Sequence, residues 1–135
     1  MKIKTIIFTT ATVFVIASLI GCTLGPVEIE SITVCKNVDS EYKPVDPTTT
    51  FPSGTTIIYA SVEVKNITTE DKLTVKWNYL ETGEEINTTD FNTDEDGSGY
   101  IGFSITVAEG FPSGRYNAII FLNNELIDTV EFSVE

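Results

Sequence analysis

The sequence contains no histidine and only two cysteines among its 135 residues. Histidine is the side chain that most often serves as a general base and as a metal ligand, so its absence removes the usual means of catalysis. If Cys22 is modified, as argued below, Cys35 has no partner for an intramolecular disulfide and is expected to be a small buried side chain. These shortages predict that the chain is not an enzyme.

Positive charge is also scarce. Eight Lys and Arg residues stand against twenty Asp and Glu residues, which gives a net charge of −12. A surface of this sign repels the phosphates of nucleic acids and of anionic lipid headgroups. We therefore predict that nucleic acid is not a partner.

Long apolar runs are absent except near the N-terminus. Lys2 and Lys4 precede an uncharged, mainly apolar run over residues 6–20. This run is shorter than the roughly 20 residues that a membrane-spanning helix needs. A basic start followed by a short apolar run is typical of a secretory signal, so we predict an N-terminal signal or anchor helix.

Leu19-Ile20-Gly21-Cys22 follows this run and resembles the lipobox of prokaryotic lipoproteins. The resemblance implies transfer of diacylglycerol to the Cys22 sulfur and cleavage between Gly21 and Cys22. It also implies a location at the cell membrane, lipid-anchored, on the extracytoplasmic face. The alternative is an uncleaved anchor helix in which Cys22 is incidental.

These observations divide the chain into three parts. Residues 1–21 are predicted to be a lipoprotein signal peptide, residues 22–27 an acylated cysteine with a short tether, and residues 28–135 one folded domain. A domain of this length is sufficient to close a hydrophobic core. Removing residues 1–21 leaves six Lys and Arg against twenty acids, a net charge of −14.

Residues after 22 lack a helical period and instead alternate between apolar and polar side chains. Alternation over residues 55–65, 73–79, 101–107, 116–122 and 130–134, with turn residues between, predicts half-buried strands. The alternation changes parity at Ser31, which predicts a β-bulge. We expect an all-β, antiparallel β-sandwich of about seven strands.

Residues 114–118, Gly-Arg-Tyr-Asn-Ala, resemble the tyrosine-corner segment of immunoglobulin-like domains, with Tyr116 as the corner tyrosine. Trp77 stands where these domains carry a core tryptophan. The resemblance implies an immunoglobulin-like or fibronectin-like sandwich over residues 28–135. Ala60 and Ala118 occupy the places of the two cysteines of antibody-type domains, so that subtype is excluded.

An acidic segment is a candidate calcium site. Residues 92–97, Asn-Thr-Asp-Glu-Asp-Gly, match the opening of a D-x-D-x-D-G loop, and such alternating oxygens can surround one calcium ion. The candidate ligands are Asp90, Asn92, Asp94 and Asp96. Phe103 occupies the twelfth position, where a bidentate acid is expected, so a solvated acidic hairpin is the alternative. No other cofactor is predicted.

Four apolar residues are expected to point away from the core, Ile57 and Tyr59 on one sheet and Ile119 and Phe121 on the other. They form either a partner surface or ordinary surface that long neighbouring side chains cover. The predicted function is a lipid-anchored cell-surface binding or structural module without catalytic activity. Its predicted partners are the membrane, through the lipid on Cys22, and a surface protein or envelope component. A calcium-binding module that uses residues 90–99 is one alternative. A protease inhibitor is another, because residues 46–51 are similar to a loop of chagasin-like inhibitors.

Overall fold

The computed structural model describes residues 11–21 and 25–135. Within these ranges the chain forms ten β-strands and no helix. The strands are β1 (Thr12–Ile20), β2 (Glu28–Val38), β3 (Pro44–Pro47), β4 (Thr50–Phe51), β5 (Ile57–Ile67), β6 (Leu73–Tyr79), β7 (Glu84–Phe91), β8 (Gly97–Thr106), β9 (Gly114–Leu122) and β10 (Glu125–Val134). The predicted all-β class is confirmed.

The strands form two five-stranded sheets whose apolar faces share one core. The first sheet has the order β1-β8-β5-β2-β3 and the second has the order β4-β10-β9-β6-β7. Neighbouring strands are antiparallel, apart from the short parallel pair of β4 and β10. The described strands outnumber the seven predicted because β1, β3 and β4 lie in segments that were expected to be helix or loop.

The predicted N-terminal helix is wrong for the part of the run that the structure describes. Residues 12–20 form β1, which pairs with β8 from Thr12↔Thr106 to Ile20↔Ser98. The segment is rich in β-branched side chains, which favour strands, and it is apolar on both faces, so its periodicity does not distinguish helix from strand. Residues 6–10 and Cys22 lie outside the described residues. Within those residues, no helix has the length and hydropathy to cross a membrane.

Several local features follow the sequence pattern. The pairing of β2 with β5 shifts register between Ile29 and Ser31, so the predicted bulge is confirmed. Asn123 and Asn124 connect β9 to β10 with φ angles of 52° and 70°, which asparagine tolerates better than most residues. Phe51 and Phe111, which open the repeated Phe-Pro-Ser-Gly motif, are both buried, and the motif leads into β5 of the first sheet and β9 of the second.

Aromatic side chains fill the centre of the core. The Phe132 ring lies 5.9 Å from Phe51, 6.1 Å from Trp77 and 5.3 Å from Tyr116, measured between ring centroids. Phe51, Trp77 and Tyr116 are each at most 1% exposed. The Tyr116 hydroxyl donates to the Pro112 carbonyl oxygen, and burial raises the pKa of Tyr116 above its usual range. All buried hydrophobic residues of the core lie between Val34 and Val134, so β1 adds to a core that is already closed.

Asp71 joins two turns at one end of the sandwich. The Thr68 backbone N–H and hydroxyl donate to Asp71 Oδ2 at 2.8 and 3.0 Å. The Asn123 side-chain amide donates to Asp71 Oδ1 at 2.9 Å. The carboxylate therefore ties the β5–β6 turn to the β9–β10 turn.

Asp71→Asn is expected to lower the free energy of unfolding by about 1–2 kcal/mol, because an amide cannot accept the same set of hydrogen bonds. Partial burial raises the pKa of Asp71, but the hydrogen bonds from Asn123 and Thr68 outweigh it and hold the pKa below 3.8. Since the folded value is the lower one, this stabilisation is complete above the unfolded pKa and is lost as the pH falls through the folded pKa. Urea denaturation should show a difference between the two proteins that is constant at neutral pH and shrinks below pH 3.8. A difference that persists unchanged in acid contradicts this account.

Candidate functional site

β8 combines an apolar inner face with an edge that β1 covers along its length. The strand has no charged residue over Gly97–Thr106. Its inward side chains Ile101, Phe103 and Ile105 are fully buried. One edge of β8 pairs with β5, and the other pairs with β1. Without β1, the second edge would present a row of unpaired backbone groups, which proteins normally cover.

Gly97 and Gly99 allow the backbone of a neighbouring strand to lie close to this edge. A Cβ atom on Gly99 would lie 1.9 Å from the Ser18 carbonyl oxygen of β1. A Cβ atom on Gly97 would lie 3.2 Å from the Ile20 backbone nitrogen and 3.2 Å from the Leu19 Cβ. The nearest atoms to both positions belong to β1. A strand at this edge therefore favours glycine at Gly97 and requires it at Gly99, where the φ of 157° already disfavours other residues.

β1 is apolar on both of its faces. Val13, Val15, Ala17 and Leu19 are half-buried and pack against the core. On the opposite face Phe14, Ile16 and Ile20 remain 60%, 47% and 73% exposed. Half of the six large, exposed hydrophobic residues in the described chain thus lie in this one strand. An ordinary sheet edge carries polar side chains on its solvent face.

Two cavities lie along the outer face of β1. One, of about 220 Å³, is lined by Phe14 and Ile16 together with Val38, Tyr42 and Tyr59. The other, of about 150 Å³, is lined by Ser18 and Ile20 with Glu41, Lys43 and Tyr100. Tyr42 thus lines the larger cavity, and its chain neighbours Glu41 and Lys43 line the smaller one. These cavities leave space beside the outer face of β1 for further apolar side chains.

The loop at residues 39–43 forms the rim between these cavities. The Asp39 carboxylate accepts hydrogen bonds from the backbone N–H groups of Glu41 and Lys43 at 2.8 and 3.0 Å. The buried Ser61 hydroxyl donates to the Tyr42 carbonyl oxygen at 2.7 Å. Tyr42 has a φ of 65°, and its side chain lies against Gly102, where an added Cβ would be 3.4 Å from the Tyr42 Cβ. The rim is thus held in place by the fold itself.

The candidate calcium ligands do not converge. Asp90 accepts a hydrogen bond from the Thr74 hydroxyl, and Asp96 accepts one from the Thr69 backbone N–H. The Asn92 side-chain amide donates to the Asp71 carbonyl oxygen. Asp94 lines a different cavity, next to β1. Over residues 11–21 and 25–135, no group of three or more acids or cysteines is arranged to hold a metal ion.

The four predicted surface residues are divided between the two sheets. Ile57 and Tyr59 lie on β5 of the first sheet, and Ile119 and Phe121 lie on β9 of the second. All four are half-buried. They therefore do not form one patch, although Tyr59 lines the larger cavity beside β1.

Cys35 is fully buried on β2, and burial raises the pKa of its thiol. Its prediction as a small buried side chain is confirmed. Cys22, the predicted lipidation site, lies outside the described residues, and Gly21 before it is exposed.

Basic side chains are mostly neutralised by neighbouring acids. The described residues include six cations, and four of them form ion pairs: Lys43 with Glu41, Lys65 with Glu30, Lys76 with Glu85, and Arg115 with Glu81. All four pairs are largely exposed to solvent, so each adds little to stability. The surface described here carries no strongly basic face.

No protein family and no curated protein matches the chain. Among solved structures, the chain is similar to the Pseudomonas fluorescens alkylpurine DNA glycosylase AlkC bound to DNA containing an abasic site analog. The TM-score is 0.51, the sequence identity is 16%, and the match covers 81% of this chain and 30% of the glycosylase. The similarity shows a shared fold with less than a third of that enzyme.

This comparison corrects two predictions. The predicted lipid-anchored, non-catalytic surface module, with its calcium-binding and inhibitor alternatives, is contradicted because the same fold occurs within an enzyme. The prediction that excluded nucleic acid, and named only the membrane and envelope components as partners, is contradicted because that enzyme is bound to DNA. The exclusion of catalysis rested on missing residue types, and the exclusion of nucleic acid rested on net charge. Those totals describe a whole surface and do not decide what one edge or face contacts.

The β8 edge was missed in the sequence, although a signal for it is present. Gly97, Gly99 and Gly102 interrupt a strand that otherwise carries large apolar residues and no charge. Glycine inside a strand weakens it unless another backbone approaches closely. The spacing of these three residues could therefore have indicated an edge built to receive a strand.

Proposed function

We propose that this domain is a strand acceptor, which binds an extended polypeptide segment by antiparallel pairing along the free edge of β8. The observation that carries the proposal is the steric fit at Gly97 and Gly99, where a Cβ atom would lie within 3.2 Å of atoms of the neighbouring strand. In binding by strand addition, backbone hydrogen bonds supply affinity and pockets for alternate side chains supply specificity. The two cavities beside β1 are suitable pockets of this kind.

We further propose that residues 1–21 are removed as a lipoprotein signal peptide and that Cys22 carries the lipid, on the extracytoplasmic face of the membrane. Leu19-Ile20-Gly21-Cys22 supports this, as does the exposure of Ile20 and Gly21 at the end of β1. Cleavage there would remove β1 and free the β8 edge. In the uncleaved chain β1 would occupy the acceptor site as an internal occupant.

The order of the strands favours an immunoglobulin-like topology. β2, β5 and β8 lie side by side as strands A, B and E do in that architecture, and β6, β9 and β10 correspond to C, F and G. Tyr116 at the start of β9 donates to a carbonyl four residues upstream, as a corner tyrosine does. In the four-stranded ABED sheet, strand D covers the edge of strand E. Residues 12–20 lie at the corresponding edge, which further supports a strand-binding role there.

The proposal is tested with two reagents. The mature domain is the chain from residue 22 with Cys22→Ser, and its independent folding is supported by a core that lies between Val34 and Val134. The leader-strand peptide is residues 11–21 with two lysines and a fluorophore added for solubility and detection. Fluorescence anisotropy should show saturable binding of this peptide to the mature domain. The full-length chain, whose edge is already occupied, should bind it far more weakly. Equal binding by the two proteins, or no binding by either, overturns the proposal.

Contact with DNA is a second candidate, which the comparison with the DNA-bound glycosylase favours. Lys36 and Lys72 are the described cations outside the four ion pairs, so about two phosphates could be neutralised directly. The logarithm of affinity for a duplex with an abasic-site analogue should then fall with the logarithm of salt at a slope of no more than about 2. Lys36→Ala/Lys72→Ala should remove this binding. No anisotropy change at low salt rejects the candidate.

A further inference from the structure

We infer that the β8 edge selects uncharged segments that are apolar on both faces, and that Tyr42 selects the outward-facing side chains. This inference rests on the proposed strand-acceptor function and names the ligand class. The ligand is an unfolded hydrophobic segment of another polypeptide, of the same chemistry as residues 12–20.

The occupant that the structure places on the edge defines this chemistry. β1 has no charged residue over its nine positions, and its inner side chains pack against the core. Its outer side chains Phe14 and Ile16 border the cavity lined by Val38, Tyr42 and Tyr59. A strand buried on both faces is expected to be a nearly continuous apolar run. An amphipathic strand would place polar groups beside Val38, Tyr42 and Tyr59.

The loop at residues 39–43 is fixed by hydrogen bonds, so this wall of the cavity is preformed. Because Asp39 and Ser61 hold the backbone of the loop by hydrogen bonds, Tyr42 is positioned before any ligand arrives. Gly102 leaves the space into which the Tyr42 side chain fits. A preformed pocket wall needs little ordering on binding. Little of the free energy gained from contacts between Tyr42 and an apolar side chain is therefore lost to ordering.

Charged side chains of the loop at residues 39–43 add a second criterion for selecting the bound segment. Asp39 lines the larger cavity, and Glu41 lines the smaller one together with its ion-pair partner Lys43. An acidic side chain at the position of Phe14 would border the same cavity as the Asp39 carboxylate and be repelled by it. Acidic segments are therefore excluded most strongly.

The test compares three versions of the leader-strand peptide on the mature domain. Phe14→Ser/Ile16→Ser in the peptide removes only outward contacts and should weaken binding at least about tenfold. Phe14→Asp should weaken it further. On a Tyr42→Ala mature domain, the unchanged peptide and the double-serine peptide should bind within about twofold of each other. Tyr42→Phe, which keeps the ring, should retain the discrimination.

The outcomes separate this inference from the proposed function. If the double-serine peptide binds as tightly as the unchanged one, and Gly99→Ala in the domain still abolishes both, the strand acceptor stands and the selection by Tyr42 is wrong. If discrimination survives in the Tyr42→Ala domain, another wall makes the selection and the inference is likewise overturned. If no peptide binds, both proposals fail.

Discussion

Gly99→Ala in the mature domain is expected to reduce affinity for the leader-strand peptide by at least about 100-fold. The physical reason is steric, because the added Cβ would lie 1.9 Å from a backbone carbonyl oxygen of the paired strand. Neither backbone can move away without breaking the ladder on one side, since β8 is held by β5 along its other edge. Peptide titration followed by anisotropy measures the effect.

Two further variants serve as controls for this experiment. Gly99 has a φ of 157°, so alanine also strains the domain itself, by about 1 kcal/mol. Gly97 has no such strain, and Gly97→Ala should weaken the peptide complex by a smaller factor, about threefold to tenfold, through contacts at 3.2 Å. Gly25→Ala, whose Cβ would make only an ordinary 3.6 Å contact with Asn66, should change nothing. Unaltered affinity in Gly99→Ala, with the fold intact by circular dichroism, would show that the peptide does not bind at this edge.

Phe132→Ala is expected to lower the free energy of unfolding by about 3–5 kcal/mol, a large part of the stability of a domain of this size. Phe132 is 4% exposed, and its ring contacts the rings of Phe51, Trp77 and Tyr116 on three other strands of the second sheet. Its removal leaves a cavity bordered by rigid rings that cannot collapse to fill it. Urea denaturation followed by Trp77 fluorescence measures the loss, since Trp77 is fully buried and is the single tryptophan of the chain.

Phe121→Ala is the matched control for this substitution. Phe121 lies on the neighbouring strand β9 but is half-buried and outside the core cluster. Its loss should cost no more than about 1 kcal/mol. If the two phenylalanines prove equally important to stability, the core is not centred on Phe132 as described.

Strand positions and core residues were largely predictable from the sequence, because they depend on local alternation. Trp77 and Tyr116 are buried on the predicted strands, and the parity change at Ser31 is a bulge. β4 could not be predicted, since its two residues carry no pattern of their own. It forms because residues 50–51 lie beside the end of β10, which is a non-local contact.

The candidate site was hidden for a similar reason. Residues 12–20 are apolar on every face, which is equally compatible with a signal helix and with a strand buried on both sides. Only the distant β8 distinguishes the two, by offering a glycine-lined edge. The acidic segment shows the same dependence on distant residues, since Asp90 and Asp96 each accept a hydrogen bond from a separate strand or turn that the spacing of the acids did not indicate.

The distance along the chain between β1 and β8 has a consequence for timing. Ile20 and its partner Ser98 are 78 residues apart, and Thr12 and Thr106 are 94 residues apart. Pairing across so long a loop requires most of the domain to be in place first. During synthesis, the first strand therefore emerges long before its partner. If residues 1–21 are removed as proposed, cleavage before β8 forms would meet an unpaired segment, whereas cleavage afterwards would meet a segment held along its whole length. The order of these two events would then set the fraction of chains that keep β1 at the edge.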